Sequence, residues 1–127
     1  MLAGLLASGL GASGCFLAAA GAGAGGAVYV TERGAESVVA APIAKTLEAA
    51  RGAIQAFGFS ETKTSSEQDG AVEKRSLEGK TSDREVEIDL RTEGTGTHAE
   101  VVVKKTAVTW DKDLAKKILS KLVDLAK

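Results

Sequence analysis

The heptapeptide Glu85-Val86-Glu87-Ile88-Asp89-Leu90-Arg91 alternates charged and apolar side chains without a break. A period of two puts Val86, Ile88 and Leu90 on one face of an extended chain and Glu85, Glu87, Asp89 and Arg91 on the other. A strand with one dry and one wet face belongs to an antiparallel sheet that is covered on one side. Its partner follows at Ala99 to Lys105, where Ala99, Val101 and Val103 take the dry side. Glu93-Gly94-Thr95-Gly96-Thr97 supplies the hairpin turn between the two. Upstream, Phe59 to Ser65 and Ala71 to Gly79 read as weaker strands, parted by Gln68-Asp69-Gly70 and followed by the turn Thr81-Ser82-Asp83. These four strands form a meander.

The dry face needs a cover, and the flanking sequence provides two amphipathic helices. Between Pro42 and Phe57 the residues Ile43, Leu47, Ala50, Ile54 and Phe57 recur at helical spacing, with Lys45, Glu48, Arg51 and Gln55 opposite. Pro42 suits the first turn, where its missing N–H would have had no partner, and Gly58 suits the stop. Asp111 is the expected N-cap of the second helix, whose stripe is Leu114, Ile118, Leu122 and Leu125, widened by Ala115 and Leu119. Lys116, Lys117, Lys121 and Lys127 are expected near its C-terminal end, where they complement the helix dipole. Glu36 to Ala41 adds a short strand, led in by Val28-Tyr29-Val30. The expected fold is α+β: an antiparallel four- to five-stranded meander with two helices packed on one face. Its order is short strand, helix, four strands, helix, in one globular domain at 32–127.

The residues before this domain are a different material. The 127-residue chain carries 16 Lys and Arg against 17 Asp and Glu, and all of them lie after Thr31, whereas eight of the 15 glycines lie before residue 27. Met1 to Cys15 reads MLAGLLASGLGASGC, an apolar run ending in small residues, which is the layout of a secretory segment and its processing site, although no Lys or Arg follows Met1. Residues 1–14 are therefore expected to be a signal peptide cleaved after Gly14. Cys15 is expected to carry the lipid, and 15–31 to be a Gly/Ala-rich linker. Each buried methylene of an acyl chain contributes about 0.8 kcal/mol of membrane affinity, so several chains anchor firmly. Two alternatives stand beside this reading. Met1 to Thr31 is long enough to span a bilayer as an uncleaved helix, although its glycines make a poor one, and Cys15 could be a free thiol in an Ala/Gly-rich leader.

Candidate chemistry is sparse. One Cys and one His exclude a disulfide framework and the usual zinc clusters, and near-neutral charge offers nucleic acid nothing. His98 falls on the wet side of its strand and reads as a solvated surface residue. Glu85, Glu87 and Asp89 stand about 7 Å apart in succession, a spacing set by the strand repeat, without a cleft to separate their pKa values. Serines occur with neither a neighbouring His nor a G-x-S-x-G elbow, and GAGAGG follows no strand, so it reads as linker. Lys104, Lys105 and the lysines of the last helix could face anionic lipid, against the plainer reading of a solvated helix face. Trp110 and Tyr29 read as packing residues at element ends. No catalytic residue, metal or cofactor is expected.

Ala12-Ser13-Gly14-Cys15 resembles the lipobox of bacterial lipoproteins. With Ala41-Pro42-Ile43-Ala44-Lys45, Ala56-Phe57-Gly58-Phe59 and Trp110-Asp111-Lys112-Asp113-Leu114, the chain is similar over nearly its whole length to an uncharacterised family of bacterial lipoproteins. More loosely, it resembles the helix-grip domains of envelope-assembly lipoproteins. The resemblance implies an address and a fold and no chemistry. The expected function is that of a non-enzymatic, lipid-anchored cell-envelope protein with a binding or structural role. Phe16 after Cys15 favours the outer membrane, facing the periplasm. Expected partners are the membrane and another envelope protein, not nucleic acid. The alternative is a periplasmic module that binds a small apolar ligand in a cavity between sheet and helices.

Overall fold

The structure is a computed structural model that describes residues 27–127. The expected signal peptide, Gly14, Cys15 and the linker up to residue 26 lie outside the described residues. The elements run β1 Tyr29–Val30, β2 Gly34–Val39, α1 Ile43–Ala56, β3 Ser60–Asp69, β4 Val72–Lys80, β5 Glu85–Glu93, β6 Gly96–Lys104 and α2 Lys112–Leu125. The fold is α+β, with two helices and one antiparallel sheet.

The sheet has six strands, in the order β1-β2-β6-β5-β4-β3, where the sequence suggests four or five. The additional strand is β1, at the end of the stretch expected to be linker: Tyr29 pairs with Glu36 and Val30 with Ala35. Two residues are too few to show a period, so only their partner makes them a strand. β2 lies beside β6, the last strand of the meander, and both ends of that pairing rest on glycine. A Cβ on Gly34 would lie 2.0 Å from Val101 O, and one on Gly96 would lie 2.5 Å from Val39 O, so neither site admits a side chain without backbone movement.

α1 carries the chain from β2 across the sheet to β3 at the far edge and packs on β3, β4 and β5. α2 returns from β6 and packs on β1, β2 and β6, and the two helices also pack on each other. The dry face holds the expected residues. Leu77, Ile88, Val101 and Ala35 form one transverse row, each the cross-strand partner of the next, and all are buried under the helices' Ile54, Ile118, Leu119 and Leu122. Pro42 is the N-cap of α1 and not its first helical residue. Asp111 caps α2 as expected: its Oδ1 accepts the Leu114 N–H at 3.0 Å.

Two details of α2 differ from the sequence reading. Leu125 is 43% exposed, and Val123 and Ala126 are buried in its place. The buried face turns toward β2 and β6, while the Leu125 side chain leans on Gly52 of α1, where an added Cβ would lie 3.0 Å from Leu125 Cδ1. The lysines also sit earlier than dipole matching requires. No basic residue occupies the last turn, and Lys112 is the first helical residue, at the positive end of the dipole.

Candidate functional site

The helices leave the other face of the sheet open. Cross-strand register lays its side chains out in rows: Glu36, Glu100, Asp89, Ser76 and Ser65 form one line over five strands. Val102, Glu87, Glu78 and Lys63 form the next, and Val38, His98, Arg91, Lys74 and Glu67 the one on the other side. Neighbouring strands are about 4.8 Å apart, so Glu36, Glu100 and Asp89 are like charges set directly opposite one another, an arrangement that costs stability. Glu87 registers the crowding. Burial pushes its carboxyl above the usual range and Asp89 and Glu78 push it further, while Lys104 and Arg33 only partly offset them. Glu85, Glu87 and Asp89 thus lie on this face as the alternation predicts, paired across β6 with Lys104, Val102 and Glu100.

Three residues of this face are less solvated than alternation suggests. The His98 side chain is only 14% exposed, with Nε2 3.2 Å from Glu36 Oε1 and Nδ1 3.6 Å from Glu93 Oε1. Val38 and Val102 are each 5% exposed. Val102 has a strand partner on both sides, Gly34 of β2 and Glu87 of β5, and Val38 stands opposite the largely enclosed His98. Trp110 closes one end of the face through a bridge to Lys104, and the Arg33 guanidinium stands 6.0 Å from its ring centroid. No local pattern in the sequence announces the contact of His98 with Glu36 or of Arg33 with Trp110, because each joins elements far apart along the chain.

Two shallow concavities mark the face. One of about 380 Å³ is lined by Thr62, Glu78, Glu85, Glu87, Val102 and Lys104, and one of about 430 Å³ by Glu67, Lys74, Asp89, Arg91, His98 and Glu100. Ser76 Oγ donates to Asp89 Oδ1 at 2.9 Å, whereas His98 is engaged by Glu36 and Glu93, so hydroxyl and imidazole are not joined. Among the described residues no group of three or more His, Cys, Asp and Glu side chains is arranged to hold a metal ion. What the face offers is a charge pattern on a rigid support.

The helical layer carries the opposite bias. Every arginine among the described residues is engaged: Arg51, Arg75, Arg84 and Arg91 in ion pairs, and Arg33 over Trp110. Asp111 is held by one of them, Arg84 Nε, at 3.2 Å. Burial pushes the Asp111 carboxyl up, but the Leu114 N–H and Arg84 outweigh it and hold it below its ordinary range. The lysines in ion pairs are Lys74 and Lys127, which leaves Lys112, Lys116, Lys117 and Lys121 of α2 exposed and without an ionic partner among the described residues. No described helix is long and apolar enough to cross a membrane.

A two-layer α+β domain with one covered and one open, charged sheet face is the class of protein that these observations define. The chain belongs to the family described as "Protein of unknown function (DUF3568)", whose model matches residues 1–124. No curated protein and no solved structure matches it.

Proposed function

We propose that this protein is a non-enzymatic, lipid-anchored component of the bacterial cell envelope. In this reading residues 1–14 are removed after Gly14, Cys15 is lipidated, and the domain is held at the outer membrane facing the periplasm, where its open sheet face binds another envelope component. The observation that carries the reading is the position of Cys15: the chain's one cysteine ends its one secretory-type segment, ahead of an uncharged Gly/Ala tract and a folded domain whose first strand begins at Tyr29. The family match takes in this segment together with the domain, which supports treating the two as one functional unit. Binding at a surface, not in an enclosed apolar cavity, is favoured because Ile54, Leu77, Ile88, Ile118, Leu119 and Leu122 fill the space between sheet and helices.

Growth of a bacterial host with an alkyne fatty acid tests the anchor. Wild type should take up the label and Cys15→Ser should not, while both accumulate as folded protein. Equal labelling of the two refutes lipidation at Cys15.

A further inference from the structure

We infer that the exposed lysine arc of α2 is a docking surface for an anionic lipid leaflet, so that the helical layer lies against the membrane and the open sheet face points away from it. The inference rests on the lipid-anchored reading and adds an orientation to it. Its first support is unspent charge. Lys112, Lys116, Lys117 and Lys121 are exposed and unpaired among the described residues; of the acids on the same arc, Asp124 is held by Lys127 at 3.3 Å, which leaves Asp113.

The helix itself compensates this arrangement only in part: the acids at helical spacing from the four lysines are Asp113, before Lys116 and Lys117, and Asp124, which Lys127 holds. Lys112 with Lys116, and Lys117 with Lys121, are like charges four residues apart, each pair a cost to helix stability. The dipole gives no compensation, since Lys112 stands at its positive end and the last turn has no basic residue. An external anionic surface relieves both costs. Lysines near such a surface each strengthen partitioning about fivefold, a figure equivalent to about 1 kcal/mol.

The second support is where the chain enters the domain. Tyr29 and Val30 form the edge strand β1, and β1 contacts α2 and not α1 among the principal packing pairs. Val28, just before β1, packs against the core, so the chain joins the domain at that edge. An anchor on Cys15, twelve residues before Ala27, therefore pulls on the edge of the sheet that α2 covers and not on the far edge at β3. The third support is repulsion on the opposite side: Glu36, Asp89 and Glu100 in one row, with Glu87 beside them, disfavour approach of the sheet face to anionic lipid.

The test uses the full anchored chain reconstituted in vesicles of phosphatidylcholine, with and without phosphatidylglycerol. A nitroxide is attached at Ser120→Cys, amid the lysines, or at Ser65→Cys, on the open face of β3, and a paramagnetic probe is fixed at the lipid headgroups. Broadening at position 120 and none at 65 is expected with phosphatidylglycerol present. It should disappear with phosphatidylcholine alone, at about 1 M salt, where screening shortens to about 3 Å, and in the Lys116→Glu, Lys117→Glu, Lys121→Glu background. Equal broadening at both positions, broadening at 65 alone, or a signal at 120 indifferent to lipid charge overturns the proposal. Failure of the anchor is a separate outcome: the nitroxide reagent then labels Cys15 of the parent chain, and the protein leaves the vesicles on washing in high salt. Far-UV circular dichroism of the triple variant establishes that the helix persists.

Discussion

β5 and β6, two paired strands of nine residues each, present two surfaces that obey different physics. On the covered face Val86, Ile88, Leu90, Ala99, Val101 and Val103 are buried against the helices, so their contribution scales with apolar area withdrawn from water and with the absence of voids. On the open face Glu87, Asp89 and Glu100 are neighbours of like sign, and register holds them together although their charges oppose it. Stability therefore resides on one side of the sheet, and the other side is free to keep charges that do not help the fold.

The sharpest way to break this contrast is a large-to-small change in the cover. Ile54→Ala should lose about 2 to 5 kcal/mol in urea unfolding, because Ile54 is wholly buried between α1 and the sheet. A loss under about 0.5 kcal/mol, the range of ordinary surface changes, would mean that the covered face is not the source of stability.

A smaller effect of opposite sign is expected at Ser37. It lies on the covered face opposite Ala99, is 1% exposed, and its Oγ has no hydrogen-bond partner among the described residues. Leaving a buried hydroxyl unsatisfied costs about 1 to 3 kcal/mol, so Ser37→Ala should raise stability by about 1 kcal/mol. A decrease in the urea midpoint would show that the hydroxyl is satisfied after all.

The smallest effect belongs to the open face. Burial and the carboxylates Asp89 and Glu78 raise the Glu87 carboxyl above its ordinary value, so the folded state binds this proton more tightly than the unfolded chain does. The ionised group therefore costs stability at neutral pH, and the cost vanishes as pH falls below the ordinary glutamate value of about 4.3. Glu87→Gln should stabilise at pH 7 by no more than about 0.5 kcal/mol and be neutral at about pH 4. An advantage that grows on acidification would contradict the assignment.

Legibility follows the same division. The covered faces of β5 and β6 and the starts of both helices can be read directly, since alternation and capping are properties of consecutive residues; Asp111 is the clearest case. The sequence pattern ends β3 at Ser65, short of its observed end at Asp69. Ser-Ser-Glu-Gln-Asp has no apolar side chain and all ten strand residues are exposed, so pairing with β4 alone makes the segment a strand. Of the candidate chemistry, the charged strip of β5 is visible in its alternation. The enclosure of His98 by Glu36 and Glu93 is not, because Glu36 arrives from β2, more than sixty residues earlier.

Consecutive residues alone set the periods of this protein, two for the central strands and 3.6 for the helices, and place an uncharged stretch from Met1 to Thr31 ahead of them. Each of these is a local pattern of water-seeking and water-avoiding side chains. The insertion of β2 beside β6, where Gly34 and Gly96 let the backbones approach, arises only on folding, as does the burial of Val38 and Val102 on a face otherwise charged. The same holds for the lysines of α2, which remain without ionic partners among the described residues while the arginines are engaged. Those outcomes depend on which distant segments become neighbours, and burial and ion pairing are properties of neighbours in space.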